Sequence, residues 1–385
     1  MPVVKLDDVA IEVKETYKGD KTGYPIVGLE HISPGEVALS NWSVNTKNTF
    51  SKIFRKGDIL FGRRRAYLKK AAIAPFDGIC SGDITVIRAK SDKLYPELLP
   101  FIIQNDDFFD YAVEKSAGSL SPRVKWEHLK NYTFKLPSLE KQKDLAELFW
   151  SINDSRNAYQ KLLQETDELI KAQFIERFGE TGEKGHCTTK TLQDLIDMKW
   201  ITYHLDGNHG GDYPRADEFV NKGIPYISAN CIVDDRIDMS LAKYVTEERA
   251  NRFRKGIAKD GDVLFAHNAT VGPVAILKTE KPVVILGTSL TAYRCNKDHI
   301  LGEYLMAYMK NPLFIQQYER NMQQTTRKQV PITTQRKYTF IIPLLEEQKE
   351  FAKFVNQSDK SKIELKQTIE KVENIIKSLV QQELK

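Results

Sequence analysis

Eight residues, Leu136-Pro-Ser-Leu-Glu-Lys-Gln-Lys143, return 206 positions later as Ile342-Pro-Leu-Leu-Glu-Glu-Gln-Lys349. Each copy opens a tract without Gly or Pro, over residues 140–178 and 346–383. An internal repeat constrains architecture before any single residue does, because each copy must be one structural unit. In the first tract Leu145, Phe149, Ile152, Tyr159, Leu163 and Ile170 recur at helical spacing. In the second, Phe351, Val355, Ile369, Val372, Ile376 and Leu379 do so, with Leu365 between. Shifted by 206, Val355 matches Phe149, Leu365 matches Tyr159, Ile369 matches Leu163 and Ile376 matches Ile170.

Each tract is expected to be one helix of about 58 Å. Ser138 suits the first N-cap, Glu140 the positive end of the helix dipole, and Gly179 the left-handed C′ position. Arg156, Thr166 and Gln173 interrupt the first apolar stripe. A single amphipathic helix this long needs a partner, so the two tracts are expected to pack on each other. Phe149, Ile152, Tyr159, Leu163, Ile170, Val355, Leu365, Ile369, Val372 and Ile376 then form the helix–helix or partner interface. The Gly-rich charged run 179–187 reads as a linker.

Residues 1–139 alternate short apolar runs with turn residues. Strands are expected at residues 26–29, 58–61, 71–74 and 84–87, with one helix over about 96–114 and a short helical turn at 126–131. Residues 188–345 repeat this plan. Gly261-Asp-Val-Leu-Phe265 answers Gly57-Asp-Ile-Leu-Phe61, Ser289-Leu-Thr-Ala-Tyr-Arg294 answers Asp83-Ile-Thr-Val-Ile-Arg88, and Tyr338-Thr-Phe340 answers Tyr132-Thr-Phe134. The offset grows along the chain from 186 to 206, so insertions fall in loops over a fixed scaffold.

The two copies differ in their polar loops. The first carries Arg63, Arg64 and Arg65 directly after a strand, then Lys69, and later Ser121, Arg123 and Lys125. Guanidiniums in such a loop suit phosphate contacts and bidentate contacts to guanine; the bland alternative is a solvated hairpin. The second copy places His267, Asn268 and Thr270 where the arginines stood, with amide and hydroxyl groups suited to an adenine edge or a phosphate. Its largest insertion carries Asn208 and His209 in a Gly-rich loop, and Arg327 and Lys328 take the place of the Ser121 loop.

Apolar residues make up 41% and charged residues 28%, a globular balance, and the net charge of +5 permits an anionic partner without requiring one. No apolar run is long enough to span a membrane, and the N-terminus lacks a signal-peptide layout. Four isolated cysteines and seven scattered histidines give no metal spacing, and read as reduced thiols in a cytoplasmic protein. No phosphate loop, dinucleotide fingerprint or zinc-protease motif is present. Asn311-Pro-Leu-Phe314 is similar to the N-P-P-F tetrapeptide of adenine methyltransferases, but it aligns with Asn105-Asp-Asp-Phe108 and no Gly-rich cofactor strand precedes it. The chain reads as a binding protein.

The whole order of units resembles the DNA-specificity subunit of a type I restriction–modification enzyme. The likeness rests on residues 57–61 with 261–265 and on residues 136–143 with 342–349. The loop 206–214 with Gly223-Ile-Pro225 also resembles one variety of that family's target recognition domains. The resemblance implies an α+β fold. Two globular β-rich target recognition domains (1–139 and 188–345) are separated by two long antiparallel, coiled-coil-like helices (140–178 and 346–385), with an internal pseudo-two-fold repeat. It further implies that the chain reads a bipartite site in double-stranded DNA. Its helices would dock two methyltransferase subunits and, through them, the restriction and translocation subunits. S-adenosylmethionine, ATP and Mg²⁺ would belong to those partners, with no cofactor in this chain. The competing readings are a coiled-coil scaffold whose β units bind proteins, and an enzyme with a fused methylase or nuclease activity.

Overall fold

A computed structural model describes residues 1–208, 213–322 and 328–385. The chain divides into two compact units, Met1–Leu162 with Leu365–Lys385, and Leu163–Glu364. In the first, strands β1 (Ala10–Val13), β2 (Ile59–Gly62), β3 (Ala71–Ile73) and β4 (Ile84–Ala89) form an antiparallel sheet in the order β1-β4-β2-β3. In the second, β5 (Ile201–Asp206), β6 (Val263–Asn268), β7 (Thr270–Ile276) and β8 (Leu290–Cys295) form the same sheet in the order β5-β8-β6-β7.

Strand periodicity explains why these central strands are apolar on both faces. Ile59 and Phe61 enter a core with the helices of the first unit, while Leu60 between them enters a second core with Val27, Phe54 and Cys80. Val263 and Phe265 likewise face one core, and Leu264 and Ala266 the other. That second core lies against a further sheet: Pro25–Val27 runs parallel to Gly78–Cys80, as Ile224–Ile227 runs parallel to Val284–Leu286. The four runs expected as strands are strands within a residue or two, except that Leu29 turns into a 3-10 helix, Leu29–His31.

The single helix expected over 96–114 is instead three pieces, Pro96–Leu98, Leu99–Ile103 and Asp106–Glu114. Asn105 interrupts it: its side chain accepts from Asp107 N at 3.2 Å and caps a new helix rather than continuing the old one. Asn311 repeats the device, its Oδ1 accepting from Leu313 N at 3.0 Å ahead of helix Pro312–Met322. The methyltransferase-like tetrapeptide is thus a helix start.

The two long helices are α1 (Leu139–Phe178) and α2 (Leu345–Leu384), each of 40 residues. Gly179 takes φ +76° and its N–H donates to Ile175 O at 2.9 Å, the left-handed stop read from sequence. They pair antiparallel. In the first unit the start of α1 meets the end of α2: Leu145, Ala146 and Phe149 share a core with Val380 and Leu384, and Lys141 pairs with Glu383 at 2.5 Å. In the second unit the end of α1 meets the start of α2, with Phe174 and Phe178 packed 5.5 and 5.7 Å from Phe351. Val355 is buried there, and Ile152, Tyr159, Leu163, Ile170, Leu365, Ile369, Val372 and Ile376 are half-buried along the stripes. Arg156 breaks the stripe because it docks on a loop, donating through Nη1 to Gly35 O at 2.7 Å.

The repeated Gln of the opening octapeptide has a structural task. Gln142 is buried; its Nε2 donates to Pro137 O at 2.9 Å and its Oε1 accepts from Tyr95 N at 2.8 Å. Gln348 makes the same two bonds, to Pro343 O at 2.9 Å and from Leu301 N at 2.9 Å. One amide in each copy locks the start of the long helix to its own β unit, a task that needs a donor and an acceptor on the same side chain.

Candidate nucleic-acid interface

β2 leaves the first sheet at Gly62, and the main chain beyond it is stitched to two other loops. Arg63 N donates to Asp83 O at 3.0 Å, Arg65 N to Pro122 O at 2.8 Å, and Val124 N to Arg63 O at 3.0 Å. The second unit repeats the stitching: His267 N to Ser289 O at 2.9 Å, Ala269 N to Lys328 O at 3.2 Å, and Val330 N to His267 O at 2.8 Å. Arg65 and Ala269 both sit in the left-handed region, at φ 54° and 65°. Such a conformation is uncommon for a residue with a Cβ. The register is therefore fixed: His267 stands for Arg63, Asn268 for Arg64, Ala269 for Arg65 and Gln329 for Arg123.

In the first unit this frame brings Arg64, Arg65, Ser121 and Arg123 into one cluster, with Arg63 tied to it through its main chain and Lys125 following Val124. Arg64 reaches Ser121 Oγ through Nη2 at 3.1 Å and Asp83 Oδ2 through Nη1 at 3.4 Å. Arg123 donates through Nε to Asp83 Oδ1 at 2.8 Å, and Arg65 reaches Ser121 Oγ at 3.4 Å. The Asp83 carboxyl is held below the usual carboxylate range, chiefly by the hydrogen bond from Arg123, with Arg64 adding to it. The sequence led us to expect three guanidiniums projecting from a sheet edge. Of the three, Arg65 is exposed; Arg63 and Arg64 are half-buried, each with a buried Nε that has no hydrogen-bond partner among the described residues, because β2 is an inner strand and its exit lies between two loops. Lys69 points away into an ion pair with Asp106 at 2.5 Å, and Lys125 is exposed at the head of helix Trp126–Leu129.

Two candidates in the second unit are corrected by burial. Asn208 is fully buried and its Nδ2 donates to Lys255 O at 2.9 Å, so it pins a loop and cannot reach a base edge. His267 is buried too, with Nδ1 2.9 Å from Thr291 Oγ1. Asn268, half-buried, and Thr270 and Lys328, both exposed, line the loop and have no side-chain partners among the described residues. His209 and Arg327 lie outside the described residues.

Sequence reasoning passed over two features. Asp83 stands at the centre of the cationic cluster, and the visible signal was its replacement by Ser289 in an otherwise matched strand. Arg249, Arg252, Arg254 and Lys255 form a basic run in the sequence, and its last member meets the 206–208 segment, Lys255 pairing with Asp206 at 3.0 Å. Among the described residues, no group of His, Cys, Asp or Glu side chains is arranged to hold a metal ion, and no helix is long and apolar enough to cross a membrane. All four cysteines are free thiols.

Residues 1–165 and 188–374 match the profile of the type I restriction modification DNA specificity domain, once for each repeat. A putative type I restriction enzyme specificity subunit of Methanocaldococcus jannaschii is 27% identical over 387 residues, covering 94% of this chain and 87% of that one. The EcoDI specificity subunit of Escherichia coli is 30% identical over 93 residues, 24% of this chain and 20% of that one. Among solved structures, a chain from a study of complex assembly and conformational transition of the type I system aligns over 99% of this chain and 97% of its own, with TM-score 0.59 and 19% identity. The S subunit of the M. genitalium type I system aligns over 98% and 94%, with TM-score 0.54 and 12% identity. These last two speak for the fold alone. Matched by the family profile in both of its repeats, the chain belongs to the type I restriction–modification DNA-specificity family, whose members are the non-catalytic chains that recognise DNA sequence in these systems.

Proposed function

We propose that the chain reads a bipartite double-stranded DNA target, one half with residues 1–139 and the other with residues 188–345. Residues 140–178 and 346–385 form the helical spacer. It docks two methyltransferase subunits and, through them, the restriction and translocation subunits. S-adenosylmethionine, ATP and Mg²⁺ act in those partners. The observation that carries the reading is the shared main-chain frame that presents Arg64 and Arg123 in one unit but Asn268 and Gln329 in the other. Two frames with unlike side chains suit two unlike half-sites, since main-chain and phosphate contacts set position while side chains discriminate bases.

The test is Arg64→Ala in the full chain assembled with its methyltransferase, with the methylated motif read by sequencing. The specified bases should change in one half of the motif only, with a loss of about 1–3 kcal/mol of discrimination at the affected position. Altered bases in both halves would overturn the split reading.

A further inference from the structure

The first unit places a carboxylate in the middle of its own cationic cluster. Asp83 is the residue after Gly82 at the head of β4, and its side chain is 23% exposed. It receives Arg123 Nε at 2.8 Å and Nη2 at 3.4 Å, and Arg64 Nη1 at 3.4 Å. Arg64 and Arg123 come from opposite sides of the site and face each other in an isolated β-bridge. Between Ala117 and Arg123 the chain makes a tight hairpin closed by reciprocal bonds of 3.0 and 2.9 Å. Apart from main-chain bonds, the Asp83–Arg123 pair and the Ser121 hydroxyl are what tie that hairpin to the sheet. In the second unit, where Asn268 and Gln329 stand for Arg64 and Arg123, the equivalent position is Ser289, whose Oγ accepts from Ala229 N at 2.8 Å. The acid is present where two guanidiniums face it and absent where Asn268 and Gln329 take their places.

We propose that Asp83 is a specificity-positioning residue of the first reader: it restrains Arg64 and Arg123 so that they favour base edges over any passing phosphate. The proposal rests on the DNA-reading function above and names a residue through which it works.

A guanidinium has five N–H donors in a rigid fork. Asp83 occupies one edge of Arg123 and one terminal nitrogen of Arg64, while Ser121 holds the other terminal nitrogen of Arg64. Two consequences follow. The planes of both guanidiniums are fixed, which favours a partner with two acceptors in matching geometry, as guanine offers through O6 and N7. One positive charge is also cancelled locally, which weakens the sequence-independent pull of the phosphate backbone. A loop with the same arginines and no acid would bind more duplexes more tightly and choose among them less well.

The experiment uses the full-length chain, with binding measured across a salt series. The probes are a duplex carrying the motif methylated by the wild-type complex, the same duplex altered in each half, and a random-sequence duplex. In Asp83→Asn, which keeps the side-chain shape, random-duplex binding should tighten and its log–log salt slope steepen by up to about one. Discrimination in the first half-site should fall about tenfold, with the second half-site unchanged. Asp83→Ser, which installs the second unit's residue, should do the same, and Asp83→Glu should restore part of the discrimination.

Unchanged second-half discrimination serves as the folding control. Random-duplex binding that weakens or stays constant in both neutral variants, or first-half discrimination that survives them, would overturn the proposal. Arg64→Ala and Arg123→Ala separate this from failure of the functional reading. If they too leave the first half-site untouched, the reading of the first unit is wrong; if they alter it while Asp83→Asn does not, only the role of Asp83 is.

Discussion

The two β units hold the same loop frame by different means. The second supports its loop from below through buried polar groups. Gln335, fully buried, accepts from Tyr293 OH at 2.6 Å and donates to Thr291 Oγ1 at 3.1 Å and Val330 O at 3.0 Å; Thr291 in turn meets His267. In the first unit Leu129 and Ile87 take the places of Gln335 and Tyr293, and Arg63 that of His267, so the buried network is not repeated and the polar restraint lies at the surface, in Asp83, Ser121, Arg64 and Arg123. What the repeat conserves is main-chain geometry, and side chains above and below it were free to diverge. A buried network fixes a loop in a way salt does not reach, whereas a half-exposed ionic cluster yields to salt and to DNA.

The largest effects should come from the helix ends. Phe174 is fully buried among Phe178, Tyr304, Tyr308 and Phe351, and Phe149 is fully buried beside Phe101. Phe174→Ala and Phe149→Ala should each cost about 3–5 kcal/mol. Hydrogen exchange followed by mass spectrometry should show faster exchange in residues 263–268 for the first variant and 59–62 for the second. Equal loss of protection in both units from either substitution would break the description of two separate cores.

Next comes a feature the units share. Arg88 grips Asp58 at 2.6 and 2.8 Å, and Arg294 grips Asp262 at 2.8 and 2.7 Å, with both carboxylates almost wholly buried. Each carboxylate also accepts a main-chain N–H at 2.8 Å, from Arg55 and Lys259. Arg88→Ala or Arg294→Ala would strand a buried charge, for a loss of about 3 kcal/mol; the partial exposure of the guanidiniums keeps it at the low end. Measured by the same local exchange, the two losses should agree within about 1 kcal/mol if the repeat is as close in energy as in geometry.

These comparisons also mark what was legible beforehand. The long helices, Gly179 and the strands at Gly57 and Gly261 could be read because periodicity and turn chemistry are local. Asp58 and Arg88 were visible as repeated letters, but not their partnership, since thirty residues separate them. His267 and Asn208 were misread for the same reason. Their partners, Thr291 and Lys255, are far along the chain, and a polar residue in a Gly-rich stretch looks exposed until those partners close over it. The arginine cluster was found without Asp83, because a single acid before a strand carries no periodic signal.

Acid should separate the units. His204 lies in the second unit, 3.3 Å from Gln335 Oε1, and burial pushes its pKa down to about 4. Arg336 and His267 lower it further, while Gln335 and Asp206 oppose the shift. The folded state therefore holds the imidazole neutral, and the unfolded chain binds the extra proton. Stability from this group is complete above about pH 6.5 and declines as the pH falls from there toward 4, by about 3 kcal/mol across that window. Protection in residues 201–206 should fall with it, and His204→Leu should flatten that dependence. A decline that survives the substitution would assign it to other groups.

The smallest effect is the one whose sign distinguishes the two designs. Thr85 and Thr291 are equivalent and both buried, but Thr291 Oγ1 meets His267 and Gln335 while Thr85 Oγ1 has no hydrogen-bond partner among the described residues. Valine has nearly the same shape and lacks the hydroxyl. Thr291→Val should destabilise by about 1–2 kcal/mol, because Gln335 and His267 lose a partner where no water can replace it. Thr85→Val removes a buried group that gains nothing, so it should be neutral or stabilise by about 1 kcal/mol. Thermal unfolding with local exchange reads both. If Thr85→Val destabilised as much as Thr291→Val, the hydroxyl beneath the arginine loop would have a partner in solution, and the first unit would support its loop from below as the second does.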